Sequence, residues 1–176
     1  MCNDTNDVVL YFGDTSAQCN KPDEGEDYTK CLSNADCCGE YFCAFENASG
    51  CSENKKGSGI CKQITSYNPQ TTVMSDGRIW TRSRGQINWW SAQNWCMALG
   101  LQPASRADIG CNGVYRTKCN NSSILDAIQK RWMDNYNYYW LEDAYNDCNV
   151  FYLSKLDSII DLPMRHVYDW IYALCH

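Results

Sequence analysis

Long apolar runs are missing from this sequence: nothing in its 176 residues approaches the ~20 consecutive apolar positions that cross a bilayer as a helix. No membrane segment is expected. Basic residues are outnumbered, 15 against 21 acidic, and the formal net charge of -6 gives phosphate backbones and anionic membranes nothing to attract. Nucleic acid is therefore not an expected partner. Histidine is scarce as well. His166 sits in an irregular polar stretch after Pro163, and His176 is the other; both read as ordinary surface histidines rather than acid–base groups. No Gly-x-Ser-x-Gly elbow, His-Glu-x-x-His helix or phosphate-cradling glycine loop occurs, and acid pairs such as Glu142-Asp143 have no partner chemistry beside them. No catalytic residue and no cofactor is expected.

Cysteine is abundant instead. Thirteen in so short a chain read as a disulfide framework and an oxidising compartment, which places the protein outside the cell or on its surface. Metal clusters are the competing use of cysteine, but no Cys-x-x-Cys spacing is present and histidines are few, so no metal is expected. The start, Met1-Cys2-Asn3-Asp4, has neither the basic flank nor the apolar stretch of a signal peptide. It reads as a trimmed ectodomain whose anchoring or export signal lies upstream.

The cysteines divide the chain. Eight fall by Cys61 and five follow, at 96, 111, 119, 148 and 175. The first region, 1–61, is acidic and loop-like, with turn clusters at Pro22-Asp23-Glu24-Gly25 and Asn47-Ala48-Ser49-Gly50 and little apolar periodicity. Covalent loop closure, worth roughly 3 kcal/mol per mid-sized loop, can replace the core it lacks. Residues 62–71, with Pro69 and a Thr-Thr pair beginning at Thr71, read as a polar linker to a second region, 72–176.

That second region alternates helix and strand signals, an α+β pattern. Thr72–Thr81 reads as strand turned at Asp76-Gly77. Asn88 is a candidate N-cap, and Ala92, Trp95, Cys96 and Leu99 recur on one face of a helix closed by Gly100. A second helix starts at Ser122-Ser123, with Ser123 and Asp126 fitting a capping box and Ile124, Leu125, Ile128 and Trp132 on one side. Short aromatic and β-branched runs then mark strands at 138–141, 149–153 and 171–174. Trp89, Trp90, Trp95, Trp132 and Trp140 fall on these segments and read as packing residues.

The spacing Cys31-x5-Cys37-Cys38-x4-Cys43-x7-Cys51-x9-Cys61 resembles small knottin- and Dickkopf-like cysteine-rich modules, which implies a stalk or brace. In the second region, Trp90-Ser91-Ala92-Gln93-Asn94-Trp95-Cys96 resembles the first-helix motif of C-type lectin-like domains. Tyr139-Trp140-Leu141 resembles the core strand of that family, and Tyr172-Ala173-Leu174-Cys175 its closing strand. The resemblance spans about 72–176 and implies a C-type lectin-like fold in which Cys96 is bonded to Cys175. More narrowly, Asn88–Cys96 together with Ala173-Leu174-Cys175 resembles lectin-like ectodomains of bacterial pilin-like surface proteins, some of them diversified by retroelements. In that group adenine-directed mutagenesis changes surface codons towards the C-terminus. The stretch 134–170 here is crowded with residue types reachable from an asparagine codon by such changes.

Calcium-dependent sugar binding in that family uses a Glu-Pro-Asn or Gln-Pro-Asp tripeptide and a later Trp-Asn-Asp, whose oxygens converge on the ion. This chain has no counterpart of the first, since Gln102-Pro103-Ala104 comes too early and offers no acid. Tyr145-Asn146-Asp147 keeps two residues of the second, leaving Glu142, Asp143 and Asp147 as the only nearby acids.

The function these readings imply is calcium-independent recognition of a protein or a cell-surface glycan by the late strands and loops. Alternation along 149–154 predicts Phe151 and Leu153 inward and Tyr152 and Ser154 outward. Tyr145, Asn146, Asn149, Asp161, Met164, His166, Asp169 and Trp170 extend the predicted surface, aromatics supplying contact area and short polar residues adaptable hydrogen bonds. Three alternatives stand beside this reading: a calcium-dependent lectin, an inhibitor acting through the first module, and a cysteine oxidase of the formylglycine-generating type. The last rests on the odd number of cysteines in the second region, which leaves one without an internal partner.

Overall fold

A computed structural model describes residues 30–48, 56–111, 123–132, 138–146, 148–156, 159–161, 164–167 and 169–176. The chain is α+β, with strands β1 (Lys30–Cys31), β2 (Tyr41–Ala44), β3 (Gly59–Gln63), β4 (Gln70–Val73) and β5 (Ile79–Arg82), then helices α1 (Trp89–Ala98) and α2 (Ser123–Trp132). Strands β6 (Tyr139–Ala144), β7 (Asn149–Leu156), β8 (Ile159–Asp161), β9 (Met164–His166) and β10 (Leu174–Cys175) complete it. All pairings between these strands are antiparallel, in three sheets: β1-β3-β2, β10-β5-β4, and a third in which β7 has β6 on one edge and β8 and β9 in succession on the other.

Helix α1 forms where local signals agree. The Asn88 side chain accepts from the Ser91 backbone N–H at 3.0 Å, satisfying one orphan donor of the first turn. Its amide also donates to the Phe45 carbonyl at 2.6 Å, so the cap ties the helix to the cysteine-rich region. Ala92, Trp95, Cys96 and Leu99 are buried, and Gly100 follows at φ +72°, the left-handed turn that lets the chain leave the helix. On α2, Ile124, Leu125, Ile128 and Trp132 are buried as the periodicity predicts; Ser123, expected to cap the helix with Asp126, is instead its first residue, and Ser122 lies outside the described residues.

Over residues 139–141 and 150–154 the third sheet is covered on both faces. Tyr139, Leu141, Phe151 and Leu153 pack with the apolar stripe of α2, Trp80 and Leu174. Trp140, Val150 and Tyr152 point the other way, into a second cluster built from α1, Ile87, Val167 and Ile171. This corrects the alternation reading: Tyr152 is 8% exposed and Ser154 fully buried, so neither belongs to a recognition surface. A strand with one wet face alternates apolar and polar; one covered on both faces buries every position, even amphipathic Tyr.

The same second cluster takes in Phe42 and Ala44 of β2, together with Ile64 and Tyr67. Residues 62–71, expected as linker, contain the end of β3, a 3-10 turn over Ile64–Tyr67 and the start of β4. Trp95 Nε1 donates to the Ile64 carbonyl at 3.0 Å across this junction. Glu46 accepts from Lys62 Nζ and from the Tyr67 hydroxyl; burial alone would raise its carboxyl, but these hydrogen bonds outweigh it and hold the group below its ordinary value. Phe42, Ala44, Ile64 and Tyr67 thus share a core with the second region, while Cys31, Cys37, Cys43, Phe45, Ala48 and Cys61 form a smaller cluster of their own.

Disulfides join Cys31 to Cys43, Cys37 to Cys61, and Cys96 to Cys175, the last fastening α1 to β10. Cys38, Cys111 and Cys148 are disulfide-bonded too, so every described cysteine is oxidised. Cys2, Cys19, Cys51 and Cys119 lie outside the described residues.

Candidate recognition surface

The turn between β6 and β7 is organised by one side chain. Asn146 Oδ1 accepts from the backbone N–H of Cys148 at 3.0 Å, from that of Asn149 at 2.9 Å, and from Asn149 Nδ2 at 3.0 Å. Asparagine serves here because its short amide can close a turn on its own backbone. The Tyr145 N–H donates to the Asn149 carbonyl at 2.8 Å, completing the hairpin. Asn146 is therefore exposed but committed to shaping the loop.

Tyr145 stands out from this turn at 60% exposure, its ring edge-on to Phe151 with centroids 6.2 Å apart. β7 then brings Asn149 opposite His166 of β9, and the Val167 N–H donates to the Cys148 carbonyl at 3.1 Å. His166 is exposed. The Asp169 N–H donates to the His166 carbonyl at 2.9 Å, turning the chain so that Trp170 emerges 42% exposed before Ile171 returns to pair with Ile87. Tyr145, Asn146, Asn149, His166, Asp169 and Trp170 thus come from two adjoining segments, each anchored to buried neighbours.

The other predicted residues fall elsewhere. Tyr152 and Ser154 are core, and the Ser154 hydroxyl has no hydrogen-bond partner among the described residues. Met164 pairs with Phe151 in backbone register, whereas Asp161 pairs with Ser154, five residues along β7 from Asn149 and so about 17 Å away.

Of the acids near this end, Asp143 is committed: its Oδ2 accepts from the Arg106 backbone N–H at 2.6 Å and its Oδ1 lies 3.2 Å from Arg106 Nε. Glu142 is exposed, and Asp147 lies outside the described residues. The sulfurs of Cys31, Cys37 and Cys61 lie within 4.8 Å of one another, but all three are in disulfides and offer no thiolate to a metal.

A polar cluster escaped the sequence reading. Asp108 Oδ1 lies 3.0 Å from Arg78 Nη1, its Oδ2 lies 3.1 Å from His176 Nε2, and it accepts from the Ser105 N–H at 2.8 Å and the Ser105 hydroxyl. Burial pushes the Asp108 carboxyl up, but the two Ser105 hydrogen bonds, the Arg78 guanidinium and His176 outweigh it and hold the group at about 2. The folded value is below the unfolded one, so this stabilisation is complete above about pH 5 and is lost as pH falls through 3.8 towards 2. Urea midpoints measured from pH 5 to pH 2 should decline less steeply for Asp108→Asn than for the parent, by an amount worth about 2 kcal/mol. Equal slopes would show that the carboxylate contributes nothing. The cluster clamps the 105–108 loop to Arg78, just before β5, and to His176, just after β10.

No protein-family model, curated protein or solved structure matches the chain.

Proposed function

We propose that this protein is an extracellular recognition module with a C-type lectin-like fold, binding a protein or cell-surface glycan through the Tyr145–Asn149 turn and the 166–170 segment. One observation carries the reading: two large aromatics, Tyr145 and Trp170, are exposed on backbone fixed by an asparagine-closed turn and by strand pairing to β7, whose residues 150–154 are buried. Rigid aromatic side chains ringed by Asn, His and Asp supply contact area with little ordering entropy, which is the physical basis of a binding patch. Support for the lectin-like plan comes from two helices preceding the β6–β7 hairpin, and from a bridge between α1 and a closing strand paired with β5.

The chemistry is calcium-independent on this reading, because Asp143 is spent on Arg106. Retroelement diversification on this reading falls on codons 145, 149, 166 and 169, at exposed or half-buried positions, and spares the buried 150–154. The formylglycine-type oxidase finds no free thiol among the described cysteines. Binding to an array of glycans and surface glycoproteins, measured with and without EDTA, tests the proposal. Specific binding that persists in EDTA supports it; binding abolished by EDTA moves the protein to the calcium-dependent lectins, and no specific binding to any member overturns it.

A further inference from the structure

Among the described residues, strand β4 is the open edge of the β10-β5-β4 sheet. The Met74 N–H donates to the Arg78 carbonyl at 3.0 Å, and bonded pairs in an antiparallel ladder recur at every second residue. Gln70 and Thr72 are therefore the residues that bond β5, opposite Arg82 and Trp80. β5 agrees from its other side, where the Ser83 N–H donates to the Ala173 carbonyl at 3.2 Å, directing alternate residues to β10. The N–H and C=O groups of Thr71 and Val73 thus face away from the sheet, and among the described residues they receive only a long hydrogen bond, 3.5 Å, from the Thr72 hydroxyl to the Val73 carbonyl.

Open edges invite strand addition, and proteins that avoid it place charges, bulges or covering elements there. Gln70-Thr71-Thr72-Val73 carries no charge, and Val73 is 59% exposed. Alongside lies a shallow depression of about 390 Å³, lined by Val73, Met74 and Ser75 and by Ala127, Lys130 and Arg131 from the last turns of α2. Its apolar lining comes from Val73, Met74 and Ala127. Lys130 and Arg131 are exposed on its rim, and neither forms an ion pair with a described residue, on a chain whose net charge is -6.

We propose that the β4 edge and the cleft towards α2 take an extended acidic segment of a partner protein as an added strand. Its backbone pairs with Thr71 and Val73, an apolar side chain enters the cleft over Met74 and Ala127, and its carboxylates meet Lys130 and Arg131. A second copy of this chain is the poorer occupant, since its own β4 has no acid to offer those cations. The site is separate from the Tyr145–Trp170 surface and does not depend on it.

Selection of short random segments displayed on phage, using the full chain as bait, tests this. The enriched peptides should alternate β-branched residues and carry Asp or Glu at one end. Their binding should slow amide exchange at Thr71 and Val73, weaken about tenfold with Lys130→Glu plus Arg131→Glu, and weaken similarly when alternate peptide amides are N-methylated. Val73→Pro removes an N–H the ladder does not use and should also abolish binding, while the N-methyl arm reads the same bond without touching the fold. Absence of enrichment, binding indifferent to charge reversal and N-methylation, or protection away from β4 overturns the proposal. So does a chain that sediments as a dimer with Thr71 and Val73 already protected.

Discussion

A chain carrying Cys96→Ala and Cys175→Ala will be about 4 to 5 kcal/mol less stable than its parent in urea unfolding under non-reducing conditions. The bridge closes a loop with a sequence separation of 79 residues, and in the chain-entropy model a loop of that length restrains the unfolded state by about 4.5 kcal/mol. Both cysteines are buried, and β10 is only a two-residue strand. Small domains are stable by about 5 to 15 kcal/mol, so the loss takes a large share of the total. A difference under about 1 kcal/mol would mean that β10 and α1 are held by packing alone.

Tyr152→Ala should cost about 3 to 5 kcal/mol, as truncation of a buried aromatic does. Its ring stands edge-on to Tyr138, with centroids 5.5 Å apart, and packs in one cluster with Trp140, Val150 and Val167. Tyr145→Ala removes the same atoms seven positions earlier from a 60% exposed site, where the change should stay within about 0.5 kcal/mol. The comparison holds chemistry constant and varies only burial. Similar losses at both positions would show that the turn tyrosine is structural and that the exposed patch is not free to vary.

What could be read from the sequence was what is encoded locally. Helix α1 has its cap, its apolar stripe and its closing glycine within Asn88–Gly100, so neighbours alone determine it. The fate of Tyr152 was hidden because the elements covering the second face of β7, including Phe42, Ala44 and Ile64, lie some ninety residues or more away in sequence. Those residues in turn looked like parts of a stalk and a linker. Only the short apolar run Tyr41–Phe45 and the pair Ile64 and Tyr67, three apart, signalled that they are core. The Asp108 cluster unites side chains 30 and 98 positions apart with no periodic signature at all. The exposed aromatics were easier to find, since Tyr145 sits beside Asn146, a turn-forming residue, and Trp170 lies off every helix and strand pattern.

On the proposed function, recognition belongs to exposed side chains on a scaffold that does not need them. Its most direct test is a Tyr145→Ala, Trp170→Ala double variant, measured for melting temperature and for binding to the array members that retain the parent in EDTA. A melting temperature within a few degrees of the parent, with binding lost on every such member, is the expected result. Binding retained at parental strength, or a variant that unfolds, would contradict it.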